Sequence, residues 1–252
     1  MTPVIWSVLL VAILWLGFAL LDRRWRIEPL LRGPGDAREP QRVVAVVPAR
    51  NEAKELPHTL VALLEQDHTD LSIVVVDDHS HDGTGEAAHR IAEDAGAVDR
   101  LTVITSPPLA AGWTGKVWAQ HHGVERALAE RPDWIWLTDA DIRHDRDVLG
   151  RLLATASAEG RDFVSVMARL RCHTAWERLL IPAFTYFFAA LYPFPSVLRD
   201  GSRTAGAAGG CMLVRREVIE RIGGMAAVRD AVIDDVNFGR ACKAAGARLW
   251  LG

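Results

Sequence analysis

Three kinds of apolar run alternate with polar segments along the chain, and each predicts its own element. From Pro3 to Leu21 no side chain is charged over 19 residues, about 28 Å of helix at roughly 1.5 Å per residue and close to the ~30 Å hydrocarbon core of a bilayer. No polar face interrupts it, which argues against a buried helix of a globular domain. A cleaved signal would open on basic residues and leave through small ones. This run instead opens on Met1-Thr2 and leaves through Asp22-Arg23-Arg24-Trp25-Arg26. Residues 1–26 therefore read as a single transmembrane anchor with a basic flank, and the flank puts the rest of the chain on the cytoplasmic side of the cell inner membrane. Residues 27–42 turn to Pro, Gly and charge and read as a linker.

From residue 43 the pattern changes to short apolar runs separated by helical periodicity. Residues 43–47 (VVAVV) are apolar throughout and end at Pro48, as a strand buried on both faces of a parallel sheet does. Leu56, Leu60, Leu63 and Leu64 follow at helical spacing, then residues 71–76 (LSIVVV) run into Asp77-Asp78. The cycle repeats through a helix near residues 83–95, a strand at 101–104, a helix holding Val117, His121, Val124 and Leu128, and a strand at 134–137 stopping at Asp139-Ala140-Asp141. A β-α-β-α-β-α-β series predicts an α/β fold: a Rossmann-like, mainly parallel sheet with helices on both faces, over residues 43–252. The third kind of run, residues 179–198, has 20 uncharged residues broken by Pro182, Pro193 and Pro195. Prolines kink or end helices, so residues 176–198 are expected to lie in a membrane interface, with Trp176, Tyr186 and Tyr192 at headgroup depth, rather than to span. A buried helix pair is the other reading of the same run.

Composition narrows the function. At 252 residues, half of them hydrophobic, the chain has room for a sizeable core. A formal charge of −3 over 29 basic and 32 acidic residues provides no positive field for a nucleic-acid backbone. Cys172, Cys211 and Cys242 are an odd, widely spaced set without a Cys-x-x-Cys, which argues against a disulfide framework and a zinc site.

Candidate chemistry gathers at strand ends, where open α/β sheets bind ligands. Asp139 and Asp141 stand two residues apart after an apolar strand. At ~5 Å their carboxylates would repel by roughly 3 kcal/mol at an effective dielectric of about 20, which a divalent cation relieves. Two carboxylates with open positions suit Mg²⁺ or Mn²⁺ completed by water and substrate phosphates. Taken alone, the pair reads equally as a cap for the next helix. Asp77-Asp78-His79-Ser80 offers a carboxylate for a ribose hydroxyl or base N–H, or a cap. Pro48-Ala49-Arg50-Asn51-Glu52 offers a rigid turn and a cation.

Together, these three strand ends resemble the nucleotide-sugar half of family 2 glycosyltransferases of the GT-A fold, and the resemblance extends from residue 43 to residue 252. It implies that residues 43–145 bind a nucleotide diphosphate sugar, UDP-linked, with Pro48, Arg50, Asn51 and Glu52 flanking the nucleotide, Asp78 on the base, and Asp139 and Asp141 holding the metal on the diphosphate. Residues 146–252 then form the acceptor half. Gly209 and Gly210 lie in the segment these enzymes carry below the acceptor, and Asp234-Asp235 resembles the acidic pair whose second member is the general base. Asp234 stands where Glu is commoner. Both acids could instead cap the helix that follows. Lys116, one of only three lysines, sits in Gly112-Trp113-Thr114-Gly115-Lys116-Val117. Val117 and the glycine spacing exclude a Walker loop, yet a lysine at a helix amino end neutralises phosphate, and the block is similar to that of ceramide-type lipid glucosyltransferases.

The whole set most resembles the hopanoid-associated type B branch, which implies a membrane lipid acceptor. The expected reaction is an inverting single displacement, with Asp235 taking the acceptor proton and Lys116 and the cation taking up charge on the leaving diphosphate. A sugar nucleotidyltransferase would carry a Gly-rich loop after its first strand, and Pro48–Glu52 has no glycine. A degenerate membrane scaffold binding nucleotide or lipid would have no use for the complete acid set.

Overall fold

The computed structural model describes residues 3–21, 30–33 and 41–252. The predicted basic flank, with Arg23, Arg24 and Arg26, and most of the linker lie outside the described residues. In chain order the elements are α1 (Pro3–Leu21), β1 (Val43–Ala49), α2 (Leu56–Leu64), β2 (Leu71–Asp77), α3 (Thr84–Asp94), β3 (Leu101–Thr105), α4 (Gly115–Leu128), β4 (Trp134–Leu137) and α5 (Val148–Glu159). They continue with β5 (Phe163–Ser165), α6 (Ala175–Leu191), α7 (Phe194–Val197), β6 (Met212–Arg215), α8 (Arg216–Ile222), α9 (Asp234–Ala244) and β7 (Leu249–Leu251).

The strands form one seven-stranded sheet in the order β3-β2-β1-β4-β6-β5-β7. β1 pairs in parallel with β2 and β4, and β2 with β3. Side chains alternate along a strand, so Val44 and Val46 of β1 enter one core with α4, α8 and α9, while Val43, Ala45 and Val47 enter the other with α2, α3 and α5. Both faces being covered explains why the run contains no polar residue.

Residues 249–251 (LWL) read as strand and form β7, but the sequence pattern misses β5 and β6. β5 is three residues long, too short to show a period, and β6 runs antiparallel to both β4 and β5. Between β5 and β6 the chain leaves the sheet for the excursion that holds α6 and α7.

That excursion differs from the proline-broken expectation. α6 begins at a capping box, with the Thr174 side chain accepting from the Glu177 N–H, and continues through Pro182 to Leu191 before Pro193 starts α7. The stretch Ala175–Val197 is long and apolar enough to cross a membrane by length and composition. It is no buried helix pair: Ala189 is the one buried residue of α6, whereas Trp176, Leu179, Leu180, Phe184, Phe187 and Leu191 are each more than half exposed. α1 is exposed along its apolar length too, and Phe18 meets Tyr186 of α6 edge-on at 6.3 Å between ring centres.

Gly123 sets the distance of α4 from the sheet. A Cβ there would overlap Val46 Cγ1 and lie 2.8 Å from Val76 Cγ2, both on buried strand residues. Alanine would gain about 1 kcal/mol in helix propensity, but overpacking a rigid core costs about 1–3 kcal/mol. Gly123→Ala is expected to lower the melting temperature by a few degrees, roughly 2–4 °C per kcal/mol of net loss for a domain this size. An unchanged or higher melting temperature, followed by circular dichroism, would show that α4 can shift outward freely.

Candidate functional site

The carboxyl ends of β1, β2 and β4 and the first turn of α4 surround a cleft of about 360 Å³. Its walls include Pro48, Arg50, Glu52, Asp78, Lys116, Asp139 and Asp141, seven of the residues singled out from sequence. Asn51 is not on the wall. Its backbone has φ +56°, its N–H donates to Ser80 Oγ at 2.9 Å, and its Oδ1 accepts the His81 N–H at 2.9 Å. The Glu52 N–H donates to Thr84 Oγ1 at 2.9 Å and the Ala53 N–H to Asp82 Oδ2 at 3.1 Å. These bonds zip the loop after β1 to the loop after β2. A left-handed Asn costs energy that such cross-links hold in place.

Asp78 is held on both oxygens. Oδ1 accepts the Ser106 hydroxyl at 2.7 Å, and Oδ2 lies 3.3 Å from an Arg50 guanidinium nitrogen. Gly115 brings the start of α4 against it, since a Cβ there would stand 3.5 Å from Asp78 Oδ2. Ser106 follows β3 and was not identified from sequence, although the rule that ligands meet strand ends points to it.

Lys116 Nζ and Asp139 Oδ1 form a part-buried ion pair at 2.6 Å. Burial pulls the Lys116 ammonium down, but Asp139 first, then Asp234 and Asp235, outweigh it and hold the ammonium above its ordinary value. Glu52 is held above the usual carboxylate range by burial and by the like charges of Asp141, Glu55, Asp82 and Asp139. No group of three or more His, Cys, Asp or Glu converges on a metal position among the described residues. The two carboxylates after β4, which with Glu52 gather like charge at one edge of the cleft, nonetheless fit a hard cation whose other ligands are water and phosphate oxygens.

The turn holding these acids is fixed from behind. Thr59 donates to the Ala140 carbonyl at 2.7 Å. Thr138 donates to the Gly210 carbonyl at 2.8 Å and meets His144 Nε2 at 2.8 Å. The single Thr138 proton goes to the carbonyl, so Nε2 must be the donor to its oxygen. Burial pushes His144 down to about 4, so it is neutral at physiological pH and serves as a brace. Thr59, Thr138 and His144 carry no motif that sequence could have marked.

Gly209 and Gly210 join this edge to the second acidic pair. The Gly209 N–H donates to Asp235 Oδ2 at 2.9 Å, and a Cβ on Gly209 would stand 3.4 Å from that oxygen and 3.6 Å from Lys116 Nζ. A Cβ on Gly210 would press on Ile142 at 3.2 Å. Asp235 Oδ1 accepts the Val236 N–H at 2.7 Å. Neither acid caps α9: Ile233 is the N-cap position and no side chain caps it. Burial is the main influence on Asp235 and raises its pKa above the usual carboxylate range, with the two backbone donors and Lys116 opposing and Asp234 adding to the rise. The side chain also lines a second space. A groove of about 610 Å³ runs along α6 between Phe184, Phe187, Leu191, Ile233 and Val236, and Asp235 is among the residues that line it.

Comparisons with known proteins follow the same outline. Residues 44–223 match the model of glycosyl transferase family 2. Over 126 residues the chain is 29% identical to a 4,4'-diaponeurosporenoate glycosyltransferase of Staphylococcus haemolyticus, a match covering 50% of this chain and 30% of that relative. The fold superposes on the mannosyltransferase PcManGT of Pyrobaculum calidifontis, solved with GDP-Man and Mn²⁺, with TM-score 0.67 and 24% identity over 94% of this chain and 61% of that one. It also superposes on residues 1–349 of S. aureus TarS, solved with UDP-GlcNAc, with TM-score 0.56 and 17% identity over 84% of this chain and 56% of that one.

Proposed function

Because this chain belongs to glycosyl transferase family 2, we propose that it moves a sugar from a nucleotide diphosphate sugar to the hydroxyl of a membrane lipid, with inversion at the sugar carbon. The fold is the mixed α/β GT-A arrangement. The observation that supports a lipid acceptor is the position of Asp235. One oxygen is tied to Gly209 beside Lys116, a wall residue of the polar cleft, and the same residue is among those that line an apolar groove along the exposed face of α6. A carboxylate at that junction can meet a donor from one side and an apolar acceptor from the other.

The donor's base and ribose would lie against Asp78, fixed by Ser106 and Arg50, and its diphosphate would meet the amino end of α4 and Lys116, where helix dipole and ammonium both favour an anion. Asp139 and Asp141 would hold Mg²⁺ or Mn²⁺, which when bound supplies a Lewis acid for the leaving diphosphate. Asp235 takes the acceptor hydroxyl proton as the oxygen attacks the sugar carbon. Asn51 keeps the loop that carries Arg50 and Glu52 in register. Gly209 and Gly210 let the backbone approach the acceptor side closely.

α1 and α6, apolar and exposed, would seat this centre at the cytoplasmic face of the inner membrane, and the resemblance to the hopanoid-associated branch favours a hopanoid-type acceptor. The test is incubation of the purified protein in nanodiscs with UDP- and GDP-linked sugars, Mn²⁺ and a membrane lipid extract. Lipid-dependent nucleoside diphosphate release, with a sugar-sized mass increment on a lipid, is expected. Nucleotide binding without any release would leave a scaffold instead.

A further inference from the structure

The groove beside Asp235 also says what kind of lipid it takes. Phe184, Phe187 and Leu191 form one wall, Ile233 and Val236 form the other, and the Asp235 carboxylate is the one charged group among its lining residues. Val232 and Ile233 are exposed beside it, at 93% and 53%, and the α6 wall residues Phe184, Phe187 and Leu191 are themselves exposed, so the groove opens on the face that α6 would present to lipid. Lys116, whose charge acts on Asp235, is engaged with Asp139 and is not among the groove's lining residues. Arg143, Arg151, Arg169 and Arg171 line a different cavity of about 670 Å³ on the flank of α6 formed by Ile181 and Thr185, and Asp235 does not border it. A phosphate carried along the groove to Asp235 would face a carboxylate with no cation among the lining residues, whereas an uncharged hydroxyl there gives the carboxylate a hydrogen to accept.

Resting on the reading of a lipid acceptor, we infer that the groove selects an uncharged lipid alcohol and rejects a lipid phosphate of the same hydrocarbon chain. Like charges ~5 Å apart at an effective dielectric of about 20 correspond to a discrimination of at least about 100-fold. The selectivity resides in the charge of Asp235, and the hydrocarbon walls serve both lipids alike.

The experiment uses a diazirine-bearing geranylgeraniol in phosphatidylcholine nanodiscs at about pH 8, well above the carboxylate range, with cross-links mapped by peptide mass spectrometry. Labelling within residues 183–192 and 232–236 is expected, displaced by unlabelled geranylgeraniol about 100-fold more effectively than by geranylgeranyl phosphate. In Asp235→Asn the labelling is expected to persist and the two competitors to come within about tenfold of each other. Equal or better competition by the phosphate in the unsubstituted protein would overturn the inference, as would a gap that survives in Asp235→Asn, or labelling confined to residues 142–171. Nucleoside diphosphate release to water from the donor panel is measured alongside. Release without labelling of the groove refutes the groove while the donor reading stands, and labelling with the charge-dependent gap but no release does the reverse.

Discussion

Asp235→Asn is expected to lower sugar transfer to lipid by about 10³-fold while leaving nucleotide affinity near its original value. The amide keeps the size of the side chain and one acceptor for the backbone donors of Gly209 and Val236, but it cannot take a proton. Because Asp235 is not among the residues lining the nucleotide cleft, binding measured by calorimetry should separate from turnover. The pH profile is a second readout. Burial raises the pKa of Asp235, so the acid limb of kcat/KM is expected above the usual carboxylate range, with activity lost as pH falls through that raised value and the base becomes protonated. Full turnover in the Asn variant would remove Asp235 from the chemistry.

Asp139→Ala acts at the other half. It removes one of the two carboxylates suited to a cation and strips Lys116 of its partner. Loss of electrostatic stabilisation at a leaving group costs about 10²–10³ in rate, and here donor affinity is expected to fall as well, because the diphosphate loses its divalent anchor. Mn²⁺-dependent binding of the nucleotide should vanish, while weak, metal-independent binding through Asp78 and Lys116 remains. The Lys116→Met variant distinguishes the two effects. It should weaken donor binding yet strengthen binding of Mn²⁺ alone, since the ammonium no longer occupies Asp139. Metal-dependent nucleotide binding that persisted in Asp139→Ala would place the cation elsewhere.

The parallel half of the sheet was legible because burial on both faces forces near-continuous apolar runs, and each run ended on the polar residues that now line the cleft. Asp78, Lys116, Asp139 and Asp141 could be found this way because they lie within four residues of the strand ends and helix start that the pattern reveals. β5 and β6 were not legible, being short and paired with each other only across the long excursion that holds α6 and α7. Pro182 misled for a different reason: a proline removes one helical hydrogen bond, but the turns on either side and the capping box at Thr174 carry the helix past it. Asn51 read as a ligand because its neighbours are on the wall, while its own side chain turned to the adjacent loop. The groove had no signature at all, since it joins residues of α6 to Ile233 and Asp235, about fifty positions away in sequence and adjacent only once α9 is folded beside the helix.

Single displacement by an acceptor hydroxyl with Asp235 as the base is tested most directly by the anomeric configuration of the product. With an α-linked nucleotide sugar as donor, the glycolipid formed in nanodiscs is expected to show the β anomer in the coupling of its anomeric proton by NMR. An α-linked product would contradict it.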